Sequence, residues 1–600
     1  MTELIWDGKY DEKGRKVAPP RIALPFQTVE TINESAADRD RMQDLFASGR
    51  PTEWRNRLIW GDKKYVLPSL LGEFAGSVDL IYIDPPFDTG ADFSYIANIP
   101  HAVGALDEDA EFLKEPSVLE QKAYRDTWGR GLDSYLGWLH DTAVLLRDLL
   151  SGNGSIYVHL DWHVGHYAKV VLDQVFGAEH FRNEIIWIYR KLARTANQFP
   201  KSHDTVFFYT KSEQNTFNVQ YVGLAQSTLK RWGDRKRGGK DPNERYATDE
   251  ESPGAVMPDT WDVPLPIGAN PQKTGYPTQK PEALLERIVR ASSNEGNLVL
   301  DCFCGSGTTA AVAEKLNRRW IACDLGRFAI HTTRKRLLGI PGVKPFVVQN
   351  LGKYERQAWQ VAEFGDGAEA ATQAYRRFVL ELYHAQPVTG YVWLHGNRSG
   401  RMVHVGGVDA PVTRADVTGM VTEFRKAMGS GKSAPTRTGI DVLGWDFAFE
   451  LNETARQDAE LAGIDLRLVR IPREVLEKKA VEQGDIKFFE LAALSVSVKK
   501  KARSVTLELT DFIIPLDDVP EDVQKAVTHW EQWIDYWAVD WDNSDDTFHN
   551  EWQSYRTRKD PKLTRQTTHT YPKAGKYRVV VKVIDILGND TTKLLEIGVK

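Results

Sequence analysis

One stretch in the middle of this chain constrains its fold more than any other. Residues 297–301 form an apolar run that predicts a buried strand, and the turn Gly305-Ser306-Gly307 follows almost at once. A helix is predicted over residues 310–316 and a second strand over 319–324, which ends in Asp324. Glycines let a backbone approach a ligand closely, and a helix N-terminus presents free N–H groups. This order predicts a nucleotide-binding βαβ unit whose terminal acid binds ribose hydroxyls.

The residues around this turn limit the kind of cofactor. No third glycine follows at the spacing of the dinucleotide fingerprint. Asp301 precedes the turn, and a carboxylate there would repel a pyrophosphate but attract the ammonium group of an amino acid. The pattern therefore favours S-adenosylmethionine over NAD.

A second stretch places an acid and an aromatic ring at the end of another predicted strand. The apolar run at residues 78–83 is followed by Asp84-Pro85-Pro86-Phe87. Proline cannot donate to a sheet ladder, so the strand must stop there. Open α/β sheets bind ligands just beyond the carboxyl ends of their strands. Alone, the tetrapeptide is equally typical of a strand-ending turn, but the glycine turn makes a reactive site the better interpretation.

Composition limits the class of protein. The chain has 600 residues, too many for one hydrophobic core, so we expect three or four domains. A net charge of −6 means that any nucleic-acid contact must be a local basic patch. No apolar run is long enough to cross a bilayer, and the first residues lack a signal peptide's features. We therefore expect a cytoplasmic protein without membrane contact.

The three cysteines, Cys302, Cys304 and Cys323, fit a reducing compartment and cannot form a disulfide framework. A zinc site usually needs four ligands, and no Cys or His pair lies near Cys302-x-Cys304 in the sequence. We interpret these residues as structural thiols and expect no metal.

Strand and helix patterns alternate through the first half of the chain. Strands are predicted over residues 56–62, 78–83, 154–160 and 204–210, with helices over 64–74, 132–150 and 163–176. Such alternation predicts βαβ units and an α/β, Rossmann-like, mostly parallel sheet.

Regular pattern is lost between residues 212 and 275, where basic residues accumulate. A solvated loop is one interpretation of this insert. Beside a site that acts on nucleic acid, contact with the DNA backbone is the better one. The predicted DNA-binding residues are Lys230, Arg231, Arg235, Lys236, Arg237 and Lys240.

Three ordered motifs resemble those of a known enzyme family. They are Asp84-Pro85-Pro86-Phe87, Thr278-Gln279-Lys280-Pro281-Glu282 and Asp301-x-Phe303-x-Gly305-Ser306-Gly307-Thr308-Thr309. In this order they resemble the beta class of DNA amino-methyltransferases, which includes modification subunits of type III restriction systems. The resemblance covers about residues 56–338. It implies S-adenosylmethionine as cofactor and double-stranded DNA as substrate.

The resemblance also implies roles for single residues. Asp301 would lie near the cofactor's amino group and Asp324 at its ribose, while Lys280 and its loop would close over the methionine portion. Asp62, which ends a Gly-Asp strand, would contact the adenine ring. The full set of implied cofactor-binding residues is Asp62, Lys280, Asp301, Phe303, Gly305, Ser306, Gly307, Thr308 and Asp324.

The implied catalytic residues are Asp84, Pro85, Pro86 and Phe87. An exocyclic adenine amine is a poor nucleophile because its lone pair is delocalised into the ring, and the base must first leave the duplex. The Asp84 carboxylate and the Pro85 carbonyl can each accept one amine hydrogen bond, which frees the lone pair for in-line displacement. Phe87 offers a stacking face, typically worth about 1–3 kcal/mol per base.

Two features of this tetrapeptide bear on the target base. Asp84 favours adenine-N6, because cytosine-N4 enzymes more often carry serine at that position. Phe87 departs from the commoner tyrosine of the family, but any aromatic ring can stack. The resulting hypothesis is a site-specific adenine methyltransferase that serves as the modification component of a restriction or phage-defence system.

Alternatives to this hypothesis are cytosine-N4 methylation and a DNA-binding scaffold subunit with a vestigial pocket. A homodimer and a restriction or helicase subunit are left open as partners.

Beyond about residue 336 the resemblance fades. Strands of a further α/β unit are predicted over residues 390–394, 402–405, 440–451 and 464–471, and the alternating tail after residue 569 resembles a PKD-type immunoglobulin-like β-sandwich. The predicted division is an N-terminal extension (1–50), a methyltransferase domain (51–345) with its insert (212–275), a second α/β domain (370–520) and the C-terminal β-sandwich (535–600).

Overall fold

The computed structural model describes most of the chain. The described residues are 3–35, 38–39, 41, 53–86, 95–99, 110–114, 131–189, 197–238, 246–266, 270–428, 438–449, 451, 454–476, 481, 486–516, 519, 521–557 and 560–600. Of the predicted site residues, Phe87 and Lys240 lie outside these ranges, as does the side chain of Arg237.

A central sheet of eleven described strands organises the first half of the molecule. In sheet order the strands are Thr260–Asp262, Phe181–Ile188, His203–Thr210, Leu150–Leu160, Val78–Ile83, Leu298–Asp301, Arg319–Asp324, Asn56–Trp60, Phe346–Asn350, Gln27–Ile32 and Phe548–Asn550. The six from Leu150–Leu160 to Phe346–Asn350 run parallel to one another. His203–Thr210 is antiparallel to both of its neighbours. The predicted mostly parallel α/β sheet is confirmed.

Helices cover both faces of this sheet. One face carries Lys63–Phe74, Leu132–Leu149 and Gly165–Phe176, and the other carries Glu282–Ser292, Thr308–Lys315 and Arg327–Leu338. Successive strand residues point to opposite faces. Accordingly, Ile81 packs in the first core while Leu80 and Tyr82 pack in the second. This two-sided burial explains the nearly continuous apolar run of the central strands.

The insert at residues 212–275 contains more regular structure than its sequence predicts. The short elements are Tyr221–Val222, Gln226–Trp232, Arg235–Gly238, Tyr246–Glu251 and Ala255–Val256, and the four strands pair in two antiparallel ribbons. A further two-stranded ribbon, Tyr95–Ile99 with Ala110–Lys114, follows the Asp84 segment. Two-residue strands are too short to show an alternating pattern, which is why the sequence predicts a loop.

Two helices, Gly352–Phe364 and Ala368–Leu382, lead to a second sheet. Its described strands, in sheet order, are Gln386–Pro387, Gly396–Arg398, Arg401–Val405, Gly439–Gly444, Asp465–Arg470 and Phe489–Glu490, with helices Arg414–Ala427 and Thr454–Leu461. The three central strands are parallel. The predicted strand at 390–394 is wrong, because the chain pairs instead at Gly396–Arg398. The strand predicted to reach residue 451 ends at Gly444.

Two antiparallel sheets form the C-terminal part. One contains Ala493–Lys501, Ser504–Ile513 and Gln566–Thr570; the other contains Trp552–Tyr555, Ile534–Asp540, Gly575–Asp585 and Asp590–Val599. A short helix, Glu521–Ala526, lies between them in sequence. Both sheets share one apolar core that includes Leu507, Trp537 and Val581. The predicted β-sandwich is confirmed, and two of its strands come from residues 493–513.

The sandwich is joined to the central sheet by strand pairing. Phe548–Asn550 runs parallel to Gln27–Ile32, with Glu30 opposite Phe548. The N-terminal strand therefore lies between Phe346–Asn350 and Phe548–Asn550, a strand that the C-terminal part contributes to the central sheet. Within the described part of the chain, no helix is long and apolar enough to span a membrane.

Candidate active site

The two predicted motif segments meet because their strands are neighbours. Leu298–Asp301 pairs in parallel with Val78–Ile83, and Val299 lies opposite Leu80. Parallel neighbours end at the same edge of a sheet, so Asp84 and the glycine turn emerge side by side at the carboxyl edge.

The glycine turn has a backbone that only glycine adopts easily. Gly305 has a φ of +48° and Gly307 a φ of +72°, both in the left-handed region. A Cβ atom on Gly307 would lie 2.6 Å from Thr333, and one on Gly305 would lie 3.0 Å from the Tyr276 ring. The turn is therefore packed tightly from behind, and helix Thr308–Lys315 begins directly after it.

Asp301 is buried at the start of this turn. Its Oδ1 accepts a hydrogen bond from the Phe303 amide at 3.0 Å, and its Oδ2 accepts one from Thr309 Oγ1 at 2.6 Å. Burial raises the pKa of Asp301 to about 7. The carboxyl group would gain from a cationic partner, because ionisation in an apolar site is otherwise unfavourable.

Asp324 ties the turn to the neighbouring strands. Its carboxylate accepts hydrogen bonds from the Gly305 amide at 2.8 Å and the Gly326 amide at 2.9 Å. Its main-chain carbonyl accepts one from the Gly61 amide at 3.0 Å, which brings Asp62 to the same edge. Asp62 caps helix Lys63–Phe74 by accepting from the Lys64 amide. Each carboxylate retains further acceptor capacity, because an ionised carboxylate has about four lone-pair sites.

Lys280 joins the two motifs directly. Its ammonium group forms an ion pair with Asp84 Oδ2, and its carbonyl accepts a hydrogen bond from Thr308 Oγ1 at 3.1 Å. The other oxygen, Asp84 Oδ1, is buried and has no hydrogen-bond partner among the described residues. Lys280 thus holds one carboxylate oxygen, while the other oxygen can still accept a hydrogen bond.

Two side chains that sequence reasoning missed support the turn. Arg336 Nη1 donates to Thr308 Oγ1 at 2.8 Å and, more weakly, to Ser306. Thr333 Oγ1 donates to the Gly305 carbonyl at 3.1 Å. Both belong to helix Arg327–Leu338, whose sequence gives no sign of this contact.

Sequence reasoning also missed Lys63, which is next to the predicted Asp62. Its ammonium group lies 4.3 Å from the centre of the Trp138 ring, which packs against Phe303 at 5.5 Å between ring centres. Loss of solvation lowers the pKa of Lys63 to about 8.

A buried polar chain runs beneath the Asp84 segment. Tyr82 Oη and His159 Nδ1 are 2.8 Å apart, His159 Nε2 lies 3.3 Å from Asp204, and Tyr189 Oη donates to Asp204 at 2.8 Å. Burial opposes ionisation of Asp204, but the hydrogen bond from His159 and the positive charge of Lys280 bring its pKa below the usual value. This chain links three strands and the residue that follows a fourth.

The three cysteines are buried, as expected of structural thiols. Cys302, Cys304 and Cys323 are buried free thiols, and burial raises the pKa of each. Among the described residues, no group of three His, Cys, Asp or Glu side chains is arranged to hold a metal ion.

In the insert, four of the predicted basic residues are described and exposed, and Lys236 pairs with Glu250 at 2.7 Å. The four are Lys230, Arg231, Arg235 and Lys236. The backbone of Arg237 continues the strand Arg235–Gly238.

Donor and acceptor of a methyl group must share one pocket, and the meeting of these two motifs at one sheet edge provides that arrangement. The class defined by fold and site is therefore an amino-methyltransferase. Residues 78–335 match the N6_N4_Mtase family, described as DNA methylase. The type II methyltransferase M1.MboII of Moraxella bovis is 35% identical over 185 residues, which is 30% of this chain and 70% of that protein.

The chain belongs to this DNA methylase family, whose members transfer a methyl group from S-adenosylmethionine to an amino nitrogen of adenine or cytosine. The DNA adenine methyltransferase YhdJ of Escherichia coli (strain K12) is 28% identical over 295 residues, covering 48% of this chain and 85% of that protein. Among solved structures, the PKD1 domain of Vibrio cholerae metalloprotease PrtV covers 18% of this chain and 96% of that chain, with 19% identity and a TM-score of 0.12.

The residues present fit the family's cofactor. The glycine turn has the positive φ angles of a loop that can bring its backbone close to a ligand, Asp301 offers a buried carboxyl for an ammonium group, and Asp324 offers oxygens for hydroxyls. When bound, S-adenosylmethionine supplies an electrophilic methyl group on a sulfonium.

Proposed function

We propose that this protein methylates the N6 amino group of an adenine flipped out of double-stranded DNA. The observation that carries the proposal is the state of Asp84: one oxygen is held by Lys280, and the other is buried with no hydrogen-bond partner in the part of the chain that the structure describes. An unpaired buried acceptor is costly, commonly about 1–3 kcal/mol, and a substrate donor would relieve that cost. An exocyclic amine brought into the pocket is such a donor.

Asp84 and the carbonyl of Pro85 would each accept one hydrogen of the amine. This arrangement orients the nitrogen lone pair toward the methyl donor held by the neighbouring turn. Lys280 keeps the carboxylate in place, and the amine proton can pass to Asp84 or to solvent after transfer. Most of the acceleration would come from positioning, which can contribute about 7–11 kcal/mol.

Phe87 is proposed as the stacking surface for the extruded base, and the exposed basic residues of the insert as contacts to the DNA backbone. Adenine is favoured over cytosine by the aspartate at position 84 and by the 28% identity to an adenine methyltransferase. We further propose that the protein acts in the cytoplasm as the modification component of a restriction or phage-defence system, with a nuclease or helicase subunit as partner.

The test is methyl transfer from labelled S-adenosylmethionine to DNA by the purified full chain, followed by nucleoside analysis of the product. N6-Methyladenine is expected, and Asp84→Ala should reduce transfer at least about a thousandfold while cofactor binding persists. Asp148→Ala, which removes an exposed carboxylate paired with Arg21, is the matched control and should retain activity.

Recovery of N4-methylcytosine would replace adenine by cytosine as the target. Undiminished transfer by Asp84→Ala would disprove the mechanism. A chain that binds DNA but neither binds the cofactor nor transfers a methyl group would be a scaffold subunit with a vestigial pocket.

A further inference from the structure

Helix Arg327–Leu338, called here the buttress helix, lies between the cofactor turn and the C-terminal β-sandwich. It begins three residues after Asp324. One face carries Thr333 and Arg336, which bind the Gly305 carbonyl and the Ser306 and Thr308 side chains. Residues three apart share a helix face, so these two contacts act together on the turn.

The opposite face of the buttress helix contacts the sandwich. His331 Nε2 lies 2.7 Å from Asp535 Oδ2, and Lys335 Nζ lies 2.7 Å from Asp535 Oδ1. Asp535 belongs to the sandwich strand Ile534–Asp540. It therefore holds two side chains of the buttress helix that are four residues apart, across one turn.

A second ionic contact fixes the same face. Arg334 Nη2 and Lys582 Nζ both donate to Glu30 Oε2, at 2.7 and 2.8 Å. Glu30 is fully buried, and Lys582 lies on a sandwich strand. At the start of the helix, Arg327 lies 3.6 Å from Asp590 of the sandwich. Contacts thus extend from the first turn of the buttress helix to its third.

We infer that the C-terminal β-sandwich is part of the cofactor-binding apparatus: it fixes the buttress helix, and the buttress helix fixes the glycine turn. Asp535 is the main positioning residue in this relay. It touches neither substrate nor cofactor and acts through His331 and Lys335. The inference rests on the proposed function only in taking the turn as the site of S-adenosylmethionine.

The glycine turn can respond to a movement of the buttress helix because the two are closely packed. Thr333 fills the space behind Gly307 so closely that a single added Cβ would lie 2.6 Å away. A small shift of the buttress helix would therefore move the Gly305 carbonyl and the start of helix Thr308–Lys315. Buried charge networks hold such shifts to a minimum, since breaking one partner leaves another charge uncompensated.

Asp535→Asn in the full chain tests the inference, because it keeps the side-chain shape and removes the charge. The dissociation constant for S-adenosylmethionine, measured by calorimetry without DNA, is expected to rise about three- to tenfold. Glu508→Gln is the matched control: Glu508 also belongs to the sandwich and pairs with Lys499 at 3.0 Å, but this pair faces solvent. It should leave the dissociation constant unchanged.

Hydrogen exchange separates positioning from general stabilisation. Amides 305–309 of the cofactor-free Asp535→Asn protein should exchange faster than in the parent. The amides of helix Leu132–Leu149, on the other face of the central sheet, should exchange at the parent's rate. The double variant Asp535→Asn/Lys335→Met should lose less cofactor-binding free energy than the sum of the two single variants, because both substitutions break the same ion pair.

Unchanged affinity and unchanged exchange at 305–309 would overturn the inference, even if the melting temperature fell. If Asp535→Asn does not fold, Asp590→Asn gives the same comparison at the first turn of the buttress helix, where Asp590 of the sandwich lies 3.6 Å from Arg327. A parent chain that binds the cofactor but methylates no DNA would refute the proposed function alone. The exchange comparison needs no cofactor and tests the relay in either case.

Discussion

Lys280 and Asp84 form an ion pair across 196 residues of sequence, between the loop that precedes the helix Glu282–Ser292 and the end of the strand Val78–Ile83. Both side chains are largely buried, with 11% and 17% of their surface exposed. The pair couples the Asp84 segment to the glycine turn, because the Lys280 carbonyl also accepts a hydrogen bond from Thr308.

Replacing Lys280 by methionine should therefore impair catalysis more than cofactor binding. Without its cation, Asp84 loses the partner that holds Oδ2, and the carboxylate can rotate. We expect the single-turnover rate to fall about a hundredfold, the scale of a misplaced catalytic group. Arg290→Met, which breaks an exposed pair with Glu286 in the following helix, is the control. Equal rates for the two variants would show that Lys280 has no role in placing Asp84.

Gly307→Ala should weaken cofactor binding through backbone strain. At a φ of +72° a side chain costs about 1–2 kcal/mol, and the new methyl group would also meet Thr333. We expect a lower melting temperature and at least tenfold weaker binding of S-adenosylmethionine in a calorimetric titration. Gly72→Ala in helix Lys63–Phe74 has open space around its Cβ and should instead stabilise the protein by about 0.5–1 kcal/mol. Normal affinity in Gly307→Ala would exclude the turn from the binding site.

The affinity for S-adenosylmethionine should increase between pH 6 and 8 if Asp301 holds the ammonium group. The pKa of Asp301 is raised to about 7 by burial, so the carboxyl is partly protonated near neutrality and must lose its proton to pair with the cation. Calorimetry near pH 6.5 in buffers of different ionisation enthalpy should detect proton release on binding. Asp301→Asn should bind more weakly and without this pH dependence. A flat profile in the parent would place the ammonium group elsewhere.

The same shift has a consequence for stability, with a definite sign. The folded pKa of Asp301 lies above its unfolded value, so the folded state binds the proton more tightly. The contribution of Asp301 to the free energy of unfolding is fully present at low pH, below the unfolded pKa. It is lost as pH rises through about 7.

Neutralising the exposed basic residues of the insert should weaken DNA binding and its salt dependence together. Each phosphate contact contributes about 0.9 to the slope of log affinity against log salt concentration. Alanine at Lys230, Arg231, Arg235 and Lys236 should lower that slope by about two to four, as measured by fluorescence anisotropy. Alanine at Lys499, Lys500, Lys501 and Arg503 removes the same charge from the sandwich and should leave the slope unchanged. Equal slopes for the parent and the insert variant would assign DNA contact to another surface.

The part of the site that could be predicted from sequence is the part that depends on local chain chemistry. A buried strand, a turn that needs glycine and an acid at a strand end each leave a short pattern. The sequence alone therefore indicates the candidates Asp84, Asp301, Gly305, Gly307 and Asp324. That the two motifs share one sheet edge followed from the rule that parallel strands end together.

Contacts between distant surfaces leave no such pattern. Thr333 and Arg336 read as ordinary residues of a helix, and only packing shows that they support the turn. The strand Phe548–Asn550 has three residues, too few to show alternation, and its partner lies more than 500 residues away. The strands at 493–513 alternate clearly, but alternation does not say which sheet they join, and this is why the predicted second domain (370–520) includes them.

The pairing of Gln27–Ile32 with Phe548–Asn550 sets a constraint on biosynthesis. The hydrogen-bonded residues Thr31 and His549 are 518 positions apart. At a synthesis rate of about 5–20 residues per second, the N-terminal strand waits on the order of half a minute or longer for its second neighbour. Until then one edge of the strand is unpaired, and Glu30 lacks the cation of Lys582. A nascent chain that stalls before residue 548 therefore exposes an unpaired sheet edge that can pair with other chains. Chaperones and proteases act on such incompletely folded states.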